Sequence, residues 1–139
     1  FSLRMYIHAP GDYTSVHDHS AWGVLGTAVG RLHVVKYRRE DDGIRQNRAI
    51  LRIGRERFLN PGETDLTLPL DEGIHKTGNA STDTLVVINV YGTPLRRLHI
   101  NQFDPDTGQV VRVYPPRLHR KQLAAAALES LRNGSHTER

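Results

Sequence analysis

Residues 1–30 read FSLRMYIHAPGDYTSVHDHSAWGVLGTAVG, and the fold class follows from them. Phe1, Leu3, Met5 and Ile7 alternate with Ser2, Arg4, Tyr6 and His8, the period-two pattern of a strand whose two faces differ in chemistry. Pro10-Gly11-Asp12 interrupts it as a turn. Val16 to His19 then reads as a second short strand and Trp22 to Leu25 as a third, with Gly26 and Gly30 as bends.

Further strand-like segments follow, of which Thr84 to Tyr91 is β-branched and mostly apolar, as a buried strand is. Arg31 to Arg38, Ala49 to Ile53, Arg57 to Leu59, Leu66 to Leu68, Thr84 to Tyr91, Leu98 to Phe103 and Val110 to Tyr114 read as strands. Glu40 to Gly43, Asn60 to Glu63 and Asp104 to Gly108 are the polar turns between them. Many short strands at even spacing predict an all-β sandwich or barrel. Pro115-Pro116 ends the β region, and Leu118 to Leu131 is the one good helix, with Leu123, Leu128 and Leu131 as a narrow apolar stripe. The expectation is one domain: a barrel over 1–116, followed by a C-terminal α-helix and tail over 117–139. That helix packs on the barrel or on another subunit, which leaves a homo-oligomer open.

Composition narrows the classes. At 139 residues the chain is too short for a two-domain dehydrogenase or an eight-fold α/β barrel. Nineteen Lys and Arg against fifteen Asp and Glu give a net charge of +4, and the basic residues are dispersed with few aromatics among them, which argues against nucleic acid. No apolar run reaches the roughly 18 residues of a membrane span. There is no cysteine, so a disulfide, a thiolate metal site and a cysteine nucleophile are excluded, and a cytoplasmic setting is expected. The chain opens inside strand-like sequence at Phe1, so residues upstream of it are expected.

Eight histidines are many for this length. His33, His99, His119 and His136 read as surface or packing residues. His17-Asp18-His19 is different, because residues i and i+2 of a strand share a face. Two imidazoles side by side can chelate one metal ion; the alternative is a polar strand end beside a turn. Around the pair the spacing is G-x5-H-x-H, from Gly11 through His17 to His19. Some fifty residues on, Pro69, Gly73, His75 and Asn79 spell P-x3-G-x-H-x3-N.

These two patterns resemble the paired motifs of the cupins, β-barrels of the double-stranded β-helix (jelly-roll-like) type. In that family the first motif supplies two metal-binding histidines and the second a third. The resemblance therefore implies a metal site of His17, His19 and His75. The first cupin motif also carries a glutamate seven residues before a glycine. Counting back from Gly30, that position is Gly23, so no carboxylate is available there. A three-histidine set of this kind is similar to the thiol dioxygenases related to cysteine dioxygenase. The phrases His17-Asp18-His19-Ser20-Ala21-Trp22-Gly23-Val24, Ile74-His75 through Asn79, Val90-Tyr91-Gly92 and Phe103-Asp104-Pro105-Asp106-Thr107-Gly108 carry that resemblance. It spans Ser2 to about Tyr114.

The resemblance implies an Fe(II) oxygenase, with Ni, Mn or Zn as alternatives, that adds O2 to the sulfur of a small thiol to give a sulfinate. It makes Tyr91 the catalytic candidate, a tyrosine whose hydroxyl points toward the metal; its ordinary reading is a barrel aromatic. Two departures stand out. A serine and a histidine four and two residues before the tyrosine form a relay in that family, and here they are Val87 and Asn89. The cysteine that mammalian-type enzymes crosslink to the tyrosine is absent. Arg4, Tyr6, Trp22 and Asn89 are the candidates for substrate binding, with Arg4 a cation for a substrate carboxylate. A metallocupin oxygenase that cleaves carbon–carbon bonds and a non-catalytic, ligand-binding cupin are the alternative functions.

Overall fold

In the computed structural model the described residues are 1–94 and 99–114, together with Ala125 and Glu129. The expected helix from Leu118 to Leu131 and the tail beyond it otherwise lie outside them.

Ten strands form two antiparallel sheets. In chain order they are β1 (Ser2–His8), β2 (Val16–His17), β3 (Gly23–Val29), β4 (Leu32–Arg39), β5 (Leu51–Leu59), β6 (Thr64–Thr67), β7 (His75–Asn79), β8 (Leu85–Tyr91), β9 (Ile100–Phe103) and β10 (Val110–Val113). One sheet has the order β1-β8-β3-β6 and the other β10-β9-β2-β7-β4-β5. A 3-10 turn over Leu70–Gly73 leads into β7. The architecture is the expected all-β one, in the form of a cupin-like β-sandwich.

Alternation explains the packing. Leu25, Leu32, Val34, Leu59, Leu85 and Val87 point between the sheets and form the main core. Leu32, Leu59 and Leu85 are completely buried, each contributing roughly 1.5–3 kcal/mol of transfer free energy. Val16, the neighbour of His17, points the other way and packs with Ala49, Ile74 and Phe103 in a second cluster. At the β3–β4 connection Gly30 has φ +79°, and a Cβ there would lie 2.9 Å from the Thr84 carbonyl oxygen, so glycine alone suits the turn.

Several expected boundaries differ. Gly26 is not a bend; it lies inside β3, where its missing side chain makes room for the Glu63 carbonyl 2.9 Å from an ideal Cβ. The expected strands at Ala49 to Ile53 and Arg57 to Leu59 are one continuous strand, β5, because the register shift at Lys36/Tyr37 absorbs the irregularity that Gly54 suggests. β2 ends at His17, so His19 stands beyond the strand.

β1 is inverted relative to the usual amphipathic strand. Its polar face borders the cavity through Tyr6 and His8, while Arg4, paired with Asn89 on β8, is exposed. Leu3, Met5 and Ile7 lie on the outer face and are exposed. Among the described residues no helix is long and apolar enough to cross a membrane.

Candidate metal centre

β2 and β7 are paired so that His17 and His75 are direct cross-strand partners. Cross-strand partners share a face, so both rings enter the space between the sheets. His19 reaches the same space from just past the end of β2. Ring centroids are 4.5 Å apart for His17 and His75, 4.8 Å for His17 and His19, and 5.1 Å for His19 and His75. One nitrogen from each ring lies within 4.8 Å of the others.

The backbone fixes two of the rings. His17 Nδ1 bonds the Ser15 carbonyl at 2.8 Å and His75 Nδ1 bonds the Gly73 carbonyl at 2.7 Å. A carbonyl only accepts, so each Nδ1 carries the proton and each Nε2 keeps a lone pair. His19 has no such support: its Nδ1 is buried with no hydrogen-bond partner among the described residues. Burial also keeps the rings neutral. His19 is pushed down to about 3 by desolvation, then by His17 and His75. His75 is pushed down to about 3 by desolvation and then by His17, and His17 is lowered by desolvation. Neutral imidazoles with free lone pairs, one ring nitrogen lacking a protein partner, and a dry setting fit a divalent transition metal.

The rings open on a cavity of about 250 Å³. Tyr6, Asn89 and Tyr91 form part of its wall, with Thr67, Leu25 and Val87. The Tyr91 ring lies 5.0 Å from that of His19. Asn89 Nδ2 donates to the Tyr91 hydroxyl at 3.0 Å, and the Tyr6 side chain also hydrogen-bonds it. Desolvation raises the Tyr91 hydroxyl above its ordinary value, against the Asn89 bond that lowers it, so the group stays protonated.

Other expected residues stand further away. Arg4 is an exposed β1 residue beside Asn89 in the ladder, close enough to bias Tyr91 electrostatically. Trp22 is half exposed and rests on Gly92, where an added Cβ would sit 2.3 Å from the indole. Val87, at the place of the relay serine, belongs to the core and also borders the cavity.

Two features were not foreseen. Gly23, noted only for its missing carboxylate, seats the Tyr91 ring; a Cβ there would be 3.3 Å from Tyr91 Cδ1. Lys36, the β4 partner of His75, forms an ion pair with Asp65 Oδ2 at 2.9 Å and donates to the Leu66 carbonyl at 2.6 Å, tying the two sheets together beside the site. The alternation of β6 carried the only sequence signal for Asp65 and Thr67. Outside the site, His33 joins the Tyr13 hydroxyl (2.8 Å) to Glu56 (2.7 Å), a packing role in line with the sequence reading.

No family model matches the chain. Among solved structures it is similar to two of oxalate oxidase, one of them in complex with the substrate analogue glycolate, at 18% identity and TM-scores of 0.51 and 0.52. Both matches cover 99% of this chain and 64% of the other. It is also similar to the capsular polysaccharide assembling protein CapF from Staphylococcus aureus, at 16% identity and a TM-score of 0.50, over 81% of this chain and 27% of that one. The chain thus spans less than two thirds of these proteins. At such identities the likeness is one of fold alone, a cupin-like β-sandwich of two antiparallel sheets.

Proposed function

We propose that the chain is a metal-dependent dioxygenase that adds both atoms of O2 to a small thiol, RSH + O2 → RSO2H. The observation that supports this most is the donor set: three neutral imidazoles facing a cavity that also holds a tyrosine hydroxyl, with glycine where the resemblance has a carboxylate. His17, His19 and His75 would hold the metal, Fe(II) or else Ni, Mn or Zn, and Fe(II) would there supply the activation of O2 toward a thiol.

The protein's own residues do the rest. Tyr91, oriented by Asn89 and Tyr6, holds a proton beside the reacting sulfur. Leu25 and Val87 line the dry end of the cavity. A space of about 250 Å³ suits a short thiol and not a peptide. We assign Arg4 to a substrate carboxylate, Tyr6 and Asn89 to the hydrogen-bonding wall, and Trp22 to the rim. The setting we assign is the cytoplasm, with a small thiol and O2 as partners and no nucleic acid or membrane.

Asn89 favours a second reading. It stands where the related relay has a histidine, and an amide cannot take up a proton, so a metallocupin oxygenase that oxidises carbon is the alternative. One experiment separates the two: oxygen uptake by the Fe(II)-loaded protein with cysteine, 3-mercaptopropionate and cysteamine, and mass analysis of the products. The thiol reading expects a gain of two oxygen atoms on sulfur, slow turnover, and a preference for the carboxylate-bearing thiols that Arg4→Ala removes. If no thiol stimulates uptake or alters the spectrum of the Fe(II)–nitric oxide protein under anaerobic conditions, that reading falls.

A further inference from the structure

Asp18 sits between two metal-ligating candidates, points away from them, and is completely buried. Its surroundings show what the carboxylate does. β2 pairs with β9 through Val16 with Phe103 and His17 with Gln102, so Asp18 falls opposite Asn101. A hydrogen-bonded antiparallel pair exchanges two main-chain bonds. Here one is normal, the Asp18 N–H donating to the Asn101 carbonyl at 3.1 Å. The other is replaced: the Asn101 N–H donates to Asp18 Oδ1 at 2.8 Å. The side chain thus stands in for the main-chain carbonyl. The same substitution recurs at Ser20, whose N–H donates to the His99 carbonyl and whose Oγ accepts the His99 N–H, both at 3.2 Å, so the segment stays tied to its neighbour past the end of β2. Held between these two pairs, His19 reaches the rings of His17 and His75, and its own carbonyl accepts from Leu70 N–H at 2.8 Å.

The chain of bonds extends outward with a fixed polarity. Asn101 Nδ2 donates to Asp18 Oδ2 at 2.7 Å, and Arg112 Nε, from β10, donates to Asn101 Oδ1 at 3.0 Å. Arg112 and Asn101 are direct partners in the ladder. Arginine has no acceptor, so it forces the amide oxygen outward and the amide nitrogen inward. Both carboxylate oxygens are then satisfied without a cation in contact.

We infer that Asp18 is a positioning residue: the Arg112–Asn101–Asp18 chain sets the separation of His17 and His19, and so the shape of the metal site. The inference rests on the metal-site reading of the three histidines.

The polarity supplies the test. Asp18→Asn turns an Nδ2 toward the Asn101 Nδ2, and the amide of Asn101 cannot flip without facing Arg112 with a donor. Exchanging the groups, Asp18→Asn with Asn101→Asp, restores each bond: the new carboxylate accepts from the new amide and from Arg112, and the new amide oxygen accepts the N–H of residue 101. Co(II) affinity and its visible spectrum are to be measured in the full chain, at a temperature where circular dichroism shows each variant folded. The single variant is expected to bind Co(II) on the order of tenfold more weakly, the lower end for outer partners of ligating histidines, with an altered spectrum. The exchanged variant is expected to recover both. Wild-type affinity and spectrum in a folded single variant would overturn the inference. If the single variant does not fold, the exchanged variant decides: wild-type binding upholds the inference, and weak binding or an unfolded protein overturns it. A wild-type protein that takes up no Co(II) overturns the metal reading itself, and this inference with it.

Discussion

The ring of Tyr91 occupies the space above Gly23, so closely that a Cβ on Gly23 would meet Cδ1 at 3.3 Å. The two are also cross-strand partners on β8 and β3, so the contact is built into the sheet. The position that holds a carboxylate in the cupin motif is here taken up by a phenol. Gly23→Glu should therefore not simply add a fourth ligand; it should push Tyr91 aside. The expected outcome is retained metal with thiol turnover down by on the order of 10²-fold, the typical loss for a displaced acid–base group. Metal analysis and oxygen uptake on the same sample check it. Undiminished turnover would show that the ring moves at no cost.

Replacing a ligand tests the triad directly. His75→Ala should lose most of its metal while keeping its β-sheet signal, since the ring faces a cavity and not the main core. His99→Ala should retain its metal, because His99 contacts Tyr114 and lies outside the triad. Elemental analysis of protein purified without chelator reads both. Full occupancy in His75→Ala would break the assignment.

Tyr91→Phe removes one hydroxyl and leaves the ring on its glycine seat. Metal content should be unchanged and turnover should fall by roughly 10²-fold, the lower end for a lost acid–base group, because Asn89 passes no proton onward. Equal turnover would return Tyr91 to packing alone.

The histidines give the metal-free protein a defined pH response. His19 and His75 titrate near 3 when folded, against 6.5 for an ordinary histidine. Between those values the unfolded chain binds more protons than the folded one, so stability rises with pH. Chemical denaturation of chelator-treated protein should show stability falling as pH drops below 6.5, on the order of 1 kcal/mol per unit for each histidine. His19→Gln with His75→Gln should flatten that slope. A flat profile in the wild type would mean that these rings are protonated in the fold.

Much of the architecture was legible because alternation is a local property. β1 follows from a period-two pattern and β8 from a β-branched, mostly apolar run, and the histidine triad follows from spacing within two short motifs. What alternation cannot say is which face turns inward. The alternation of β1 leaves either face free to turn inward; it is the polar one that lines the cavity, through Tyr6 and His8, because its partner β8 presents Asn89 and Tyr91 on that side. Likewise Gly26 and Gly54 look like interruptions, whereas close approach and a register shift elsewhere let the strands run through them. The roles of Gly23 and Asp18 depend on residues 68 and 83 positions away in the chain, and no local pattern carries them.

The carbonyls of Ser15 and Gly73 each lie two residues before the histidine they hold. Two of the three imidazoles therefore have their tautomer and orientation written by the adjoining peptide, before any ion arrives. The rotational freedom of those rings, a cost of order 1 kcal/mol per side chain, was lost in folding and is not lost again on capture. Nitrogen-15 spectra of the metal-free protein should show His17 and His75 locked as Nδ1–H forms, with slowly exchanging ring protons. His19 should stand apart as the ring whose tautomer the backbone leaves unset.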